Sequence, residues 1–214
     1  MVEAKKGISA NQMKRTIGVS YKTAWYLCHR IRAAMTVENP EPLKGVVEAD
    51  ESWIGGRKRG IPRGRWRDTK TMVLGAVERG GQIRLQVDKR RPTKKVLHAF
   101  LAENTGELDA LYTDEHGGYQ GFSDKHDTVV HHSDEWVRGD VHTNTVEGVW
   151  SLFRRSIIGS YHQLSEKHLD AYLDEFEWRF NNRHNPYLFR DTLTQLVKAE
   201  TLEYKELISE RAAS

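Results

Sequence analysis

The period of apolar positions changes twice along this chain, from helical spacing to strand-like alternation near about residue 46 and back to helical spacing near about residue 143. In "ISANQMKRTIGVSYKTAWYLCHRIRAAM", Ala24, Leu27, Cys28 and Ile31 recur at helical intervals, Ser9 and Ser20 stand where N-caps belong, and Gly18 stands at a turn. The segment predicts helix, tight turn, helix. "TVENPEPLKG" holds two of the five prolines and predicts a linker. "GVVEADESW", "TMVLGAV" and "QIRLQV" predict three strands in a meander, the last two joined through a hairpin-like "ERGG". "TKKVLHAFLAEN" predicts a helix on Val96, Leu97, Phe100 and Leu101, while "LDALYTDE" and "DTVVHH" predict two further strands. Helices follow from Thr143, around residues 167 to 182, and from Asp191 into the tail. The expected order is βββ-α-β-α-β-α with extra C-terminal helices, an α/β fold in which helices flank a sheet of mixed direction. Four divisions are expected: a helix-turn-helix segment at 1–36, a linker at 37–45, the α/β body at 46–198 and a helical tail at 199–214.

Candidate chemistry enters through "VHTNTVEGVWSLFRRSIIG", residues 141 to 159. At about 100° per residue, Val146, Val149, Trp150, Phe153 and Ile157 form one stripe that should meet the sheet. Asn144, Glu147, Ser151 and Arg154 form a second stripe beside it, so an amide, a carboxylate and a guanidinium run along the edge of the packed face. Asn144 and Glu147 fall one turn apart, with Cβ atoms about 5 to 6 Å from each other, close enough to serve one metal. Arg154 lies about 10 Å further along, where it suits a phosphate, and Arg155 adds a second cation.

Active sites of open α/β sheets lie beyond strand ends, and two predicted strands end in acids. Asp50 follows "VVEA" and Asp114 follows "LDALYT". Hard oxygen ligands of this kind suit Mg²⁺ or Mn²⁺ and two-metal phosphoryl transfer, provided the two strands are neighbours. A lone Asp at a strand end is an ordinary turn or cap residue; the joint pattern is what points to chemistry. His116 and His142 lie near the acids and are placed for auxiliary roles. His131 and His132 are adjacent on a strand and so face opposite ways, which argues against a zinc site.

Charge sharpens the picture. The formal net charge is only +3, yet residues 55 to 70, "GGRKRGIPRGRWRDTK", carry seven Lys or Arg against Asp68. Arg57, Lys58, Arg59, Arg63, Arg65 and Arg67 can track a phosphate backbone directly after Asp50. Tyr21, Lys22 and Thr23 open the second predicted helix, where a recognition helix presents side chains to DNA. The single cysteine, Cys28, excludes a disulfide framework and a thiolate zinc site and fits a reducing cytoplasm. No apolar run of about 18 residues and no secretion-signal pattern occur.

At "VEADESWIGGRKRG", "LYTDEHGGYQGF", "VHTNTVEGVWSLFRRSIIGSYHQLS" and "HLDAYLDEFEWRFNNR", together with "GISANQMKRTIGVSYKTAW", the chain resembles bacterial insertion-sequence transposases of the ISXO type over roughly residues 7 to 197. The resemblance implies a catalytic domain of the RNase H-like fold of retroviral integrases, with Asp50 and Asp114 as the first two catalytic acids. It leaves the third open between Asn144, in "HTN", and Glu147, seven residues before Arg154. It also implies a divalent cation, Mg²⁺ or Mn²⁺; double-stranded DNA partners, namely terminal inverted repeats and target; a homodimer or larger synaptic assembly; and a nucleoid-associated place in a bacterial cytoplasm. Family members commonly carry a cysteine-rich zinc segment ahead of the helix-turn-helix, which this sequence lacks, so either a shortened copy or a fragment of a longer chain is expected. Two other functions stay open: a DNA-binding regulator or inactive remnant, and a structure-selective nuclease with the same metal site.

Overall fold

The computed structural model describes residues 1–55, 69–129, 141–162 and 164–209. They form two compact units, one of residues 39–152 and one that joins residues 1–38 to residues 153–214.

The first of these units is built on a five-stranded mixed sheet. β1 (Leu43–Ile54) lies at its centre, flanked by β2 (Thr71–Glu78) and β4 (Thr105–Thr113), with β3 (Ile83–Asp88) and β5 (His126–Thr128) outside them. β1, β2 and β3 are antiparallel, as a meander requires, whereas β1–β4 and β4–β5 are parallel. The parallel step from β3 to β4 is made through α3 (Lys94–Asn104). Strand alternation sorts β1 cleanly. Leu43, Val47 and Ala49 join Met72, Leu74 and Ala76 of β2 and Val96, Leu97, Phe100 and Leu101 of α3 in one apolar core. Glu48, Asp50 and Ser52 therefore lie on the other face, which takes α4 (Asn144–Ser156) through buried Val146, Val149 and Trp150. This is the mixed α/β arrangement that the pattern predicts, and it is consistent with the RNase H-like fold that the resemblance implies. One element differs. In place of a helix between β4 and β5, the described residues contain only a 3₁₀ turn, Gly117–Tyr119, because its glycines and the buried Tyr119 tighten the chain into a single turn.

The second unit is helical. Ser9 caps α1 (Ala10–Ile17) by accepting from Gln12 N–H, Gly18 takes a left-handed φ of 70°, and Ser20 caps α2 (Tyr21–Ala33) by accepting from Thr23 N–H. α5 (Leu169–Asn181), α6 (Leu188–Lys198) and the short α7 (Tyr204–Ile208) complete it, the extended backbone at Ala199 ending the predicted C-terminal helix early. Here the core contains a charge. Arg32 Nε donates to Glu175 Oε2 at 2.8 Å with both side chains buried, and its guanidinium lies 3.9 Å from the centre of the Tyr172 ring. The last turn of α4 adds Phe153, which meets Phe176 edge to face at 5.1 Å between ring centres. Among the described residues no helix is long and apolar enough to cross a membrane.

Candidate active site

The site forms where β1 and β4 run side by side. Glu48 pairs with Tyr112 in parallel register, so two residues on, Asp50 comes level with Asp114 just past the end of β4. The two predicted aspartates, 64 residues apart in sequence, are thus neighbours in space. Glu51 joins them. One carboxylate oxygen from each of Asp50, Glu51 and Asp114 lies within 4.8 Å of the other two, and all three side chains are half-buried. Alternation sends Asp50 to the α4 face and Glu51 to the α3 face; they still converge because Asp114 lies beyond its strand, where the two faces meet.

Each acid is held. Asp50 Oδ1 accepts from Glu51 N–H at 2.8 Å and Oδ2 from the Trp150 indole Nε1–H at 2.9 Å. Glu51 Oε2 accepts from the Tyr119 hydroxyl at 3.0 Å. Asp114 Oδ1 accepts from His116 N–H at 3.0 Å, and His116 Nδ1 accepts from Gly118 N–H at 3.2 Å, so His116 shapes the turn after β4.

Crowding three carboxylates has an electrostatic cost. Burial, then the charges of Glu51 and Asp114, push the Asp50 carboxyl up to about 7, against the opposing pull of its two donors. Burial and Asp114 likewise raise Glu51, although His116 and Tyr119 act the other way. Burial also lifts the Tyr119 phenol far above its ordinary range. A cluster in which one acid holds its proton near neutrality lacks positive charge, and a divalent cation would supply it. The donor set fits one: all oxygens, with a spread of 4.8 Å against about 4.2 Å across an octahedral shell of Mg²⁺ with bonds of about 2.1 Å.

The helix α4 brings Asn144 and Glu147 to its first two turns, both exposed, and Glu147 Oε1 accepts from the Thr143 hydroxyl at 3.2 Å. Glu147 does not belong to the group of mutually close acids among the described residues. His142, just before α4, lies not on the aspartates but on Glu48, with Nδ1 3.3 Å from Oε1. Arg154 and Arg155 are exposed in the last turn of α4. Tyr21, Lys22 and Thr23 are exposed in the first turn of α2, with Lys22 Nζ 4.4 Å above the Tyr204 ring. Arg57, Lys58, Arg59, Arg63, Arg65 and Arg67, like His131 and His132, lie outside the described residues. Glu48, Glu51, Tyr119 and Trp150 were not predicted as site residues. For Glu51 the signal was its place beside Asp50 in "ADES".

Comparison with known proteins places most of this chain in a family. Residues 42–181 match the model of the ISXO2-like transposase domain. The chain is also 31% identical over 189 residues to an uncharacterized protein in the transposable element ISH50 of Halobacterium salinarum, covering 80% of this chain and 64% of the relative. It therefore spans less than two thirds of that relative's length.

Proposed function

The chain belongs to the ISXO2-like transposase family, and from that premise we propose that it is a DNA transposase that cuts and rejoins strands at the ends of its element with Mg²⁺ or Mn²⁺. The observation that carries the reading is the convergence of Asp50, Glu51 and Asp114 where β4 ends beside β1, inside the matched span. Asp50 and Asp114 hold the cation with Glu51 beside them, and α4 contributes Asn144 or Glu147. A divalent cation bound there would polarise the scissile phosphate and ease deprotonation of the attacking hydroxyl group.

The chain's own residues do the positioning. Tyr21, Lys22 and Thr23 of α2 read or grip the element end. Arg57, Lys58, Arg59, Arg63, Arg65 and Arg67, with Arg154 and Arg155, neutralise phosphates along the strand. His116 keeps Asp114 in place and His142 supports the start of α4. In the first step water attacks phosphorus and a 3′-hydroxyl leaves; in the second that 3′-hydroxyl attacks a target phosphodiester and displaces another 3′-oxygen. One P–O bond forms and one breaks in each step, so no ATP is consumed and no covalent protein intermediate forms. Two ends must be handled together, which favours a homodimer or larger synaptic assembly in the nucleoid.

The test uses a labelled duplex that carries the element end, with Mg²⁺ or Mn²⁺. Nicked and joined products are expected from the wild type, and Asp50→Ala should abolish both while DNA binding persists. Nicks without joining would indicate a nuclease. Binding without any strand cleavage would indicate a regulator or an inactive remnant.

A further inference from the structure

We propose that Glu48 is a positioning residue, a buried carboxylate that fixes the start of α4, and with it Asn144 and Glu147, against Asp50. The inference rests on the reading that α4 contributes a group to the metal site.

Glu48 has no exposed surface and stands apart from the acid cluster, yet it gathers more donors than any of the three acids. Its Oε2 accepts from the backbone N–H groups of Thr145, at 2.8 Å, and Val146, at 3.0 Å. These are donors that the first turn of a helix leaves unsatisfied, and a negative charge there also suits the helix dipole. Its Oε1 accepts from the Thr145 hydroxyl at 2.8 Å and from Arg79 Nε at 2.7 Å. Arg79 Nη2 continues to the carbonyl oxygen of His142 at 2.9 Å, while the guanidinium lies 4.7 Å from the ring centre of Tyr112, two residues before Asp114. One carboxylate thus joins β1, the end of β2, and the chain entering α4.

The second tether is the Trp150 bond to Asp50. Glu48 and Asp50 are two residues apart on one face of β1, about 6.6 to 6.8 Å. Thr145 and Val146 precede Trp150 by five and four residues, about 6 to 7.5 Å along the helix axis. The rises match, so helix and strand are pinned in register at two points. A cap that served the helix alone would need neither the arginine bridge nor a place on the strand that carries Asp50.

Mn²⁺ binding, followed through the resonance signal of the free ion, tests this with the metal alone. Glu48→Gln keeps the size of the side chain and turns one acceptor into a donor that faces Arg79. It should weaken Mn²⁺ affinity about tenfold while the far-ultraviolet dichroism of the full chain is kept. In an Asn144→Ala/Glu147→Ala background the same substitution should change affinity by less than about twofold, because its effect passes through those groups. Equal losses in both backgrounds, or no loss in the first, would overturn the proposal. Arg79→Lys, which keeps the cap but removes the bridge to His142, gives a milder loss in the same direction if Glu48→Gln does not fold. Should the wild type bind no Mn²⁺ at all, the functional reading itself falls, and Glu48 is left as a helix cap.

Discussion

Trp150 donates its indole N–H to Asp50 at 2.9 Å from above Gly75, the residue paired with Asp50 across β1 and β2. The glycine is required by this contact: a Cβ at residue 75 would lie 2.5 Å from Trp150 Cζ2 and 2.7 Å from Cη2, and the ring is buried. Gly75→Ala must therefore displace the indole, and it should lower stability by about 1–3 kcal/mol, read from the denaturant midpoint. Trp150→Phe, which keeps an aromatic ring but no donor, should cost metal-dependent strand cleavage more than it costs stability. A Gly75→Ala protein with unchanged midpoint and unchanged cleavage would show that the indole can move without consequence.

The raised Asp50 carboxyl predicts a pH dependence. An acid whose folded pKa, about 7 here, exceeds its unfolded value binds more protons when folded. Its contribution to stability then falls as pH rises from about 4 through 7. His29, whose burial pushes it down to about 3 from an ordinary value of 6.5, contributes the opposite slope, its share of stability rising with pH between those two values. The difference between Asp50→Asn and wild type removes the histidine from the comparison. The metal-free variant should gain thermal stability relative to wild type between pH 5 and pH 8 on the order of the linkage expected for one carboxylate. A constant difference across that range would refute the crowding of the three acids.

In the helical unit, Glu175 accepts from Arg32 at 2.8 Å and from the Tyr161 hydroxyl at 2.8 Å, with Arg179 3.3 Å away. Removal of one partner from a buried pair costs about 3–5 kcal/mol. Arg32→Met should fall at the lower end of that range, because Tyr161 and Arg179 still face the carboxylate, and urea unfolding measures it. Glu175→Leu should cost more, since it leaves two guanidinium groups without their acid.

The proposed DNA binding through α2 predicts a salt signature. Lys22 is exposed in the first turn of that helix. Lys22→Ala should weaken binding to the element-end duplex and lower the slope of log K against log salt by about one. Lys44→Ala, an exposed lysine on β1, should leave the slope unchanged. Equal slopes for wild type and Lys22→Ala would remove α2 from the DNA interface.

Much of this was legible in the sequence, because local rules decided it. Ser9, Gly18 and Ser20 announced two capped helices, and the apolar stripe of Val146, Val149 and Trp150 announced the buried face of α4. Asp50 and Asp114 could be paired because each follows an apolar run, although only Asp114 stands at a strand end and β1 continues past Asp50 to Ile54. Glu51 was hidden by the same alternation that made the strands readable: period two assigns it to the far face, and only the end of a sheet lets the faces meet. Glu48 reads as one more strand residue, since its partners Arg79, 31 residues away, and Thr145, 97 away, are set by the tertiary fold. The Trp150 indole was correctly placed in the core, but periodicity does not reveal which acid its N–H will reach.

The central claim is that Asp50, Glu51 and Asp114 form one divalent-cation site, and Mn²⁺ titration of the wild type beside Asp50→Asn and Asp114→Asn tests it most directly. Saturable binding by the wild type, weakened about tenfold or more by either substitution, is the predicted result. Equal affinity in all three proteins, or no binding to the wild type, would contradict the account.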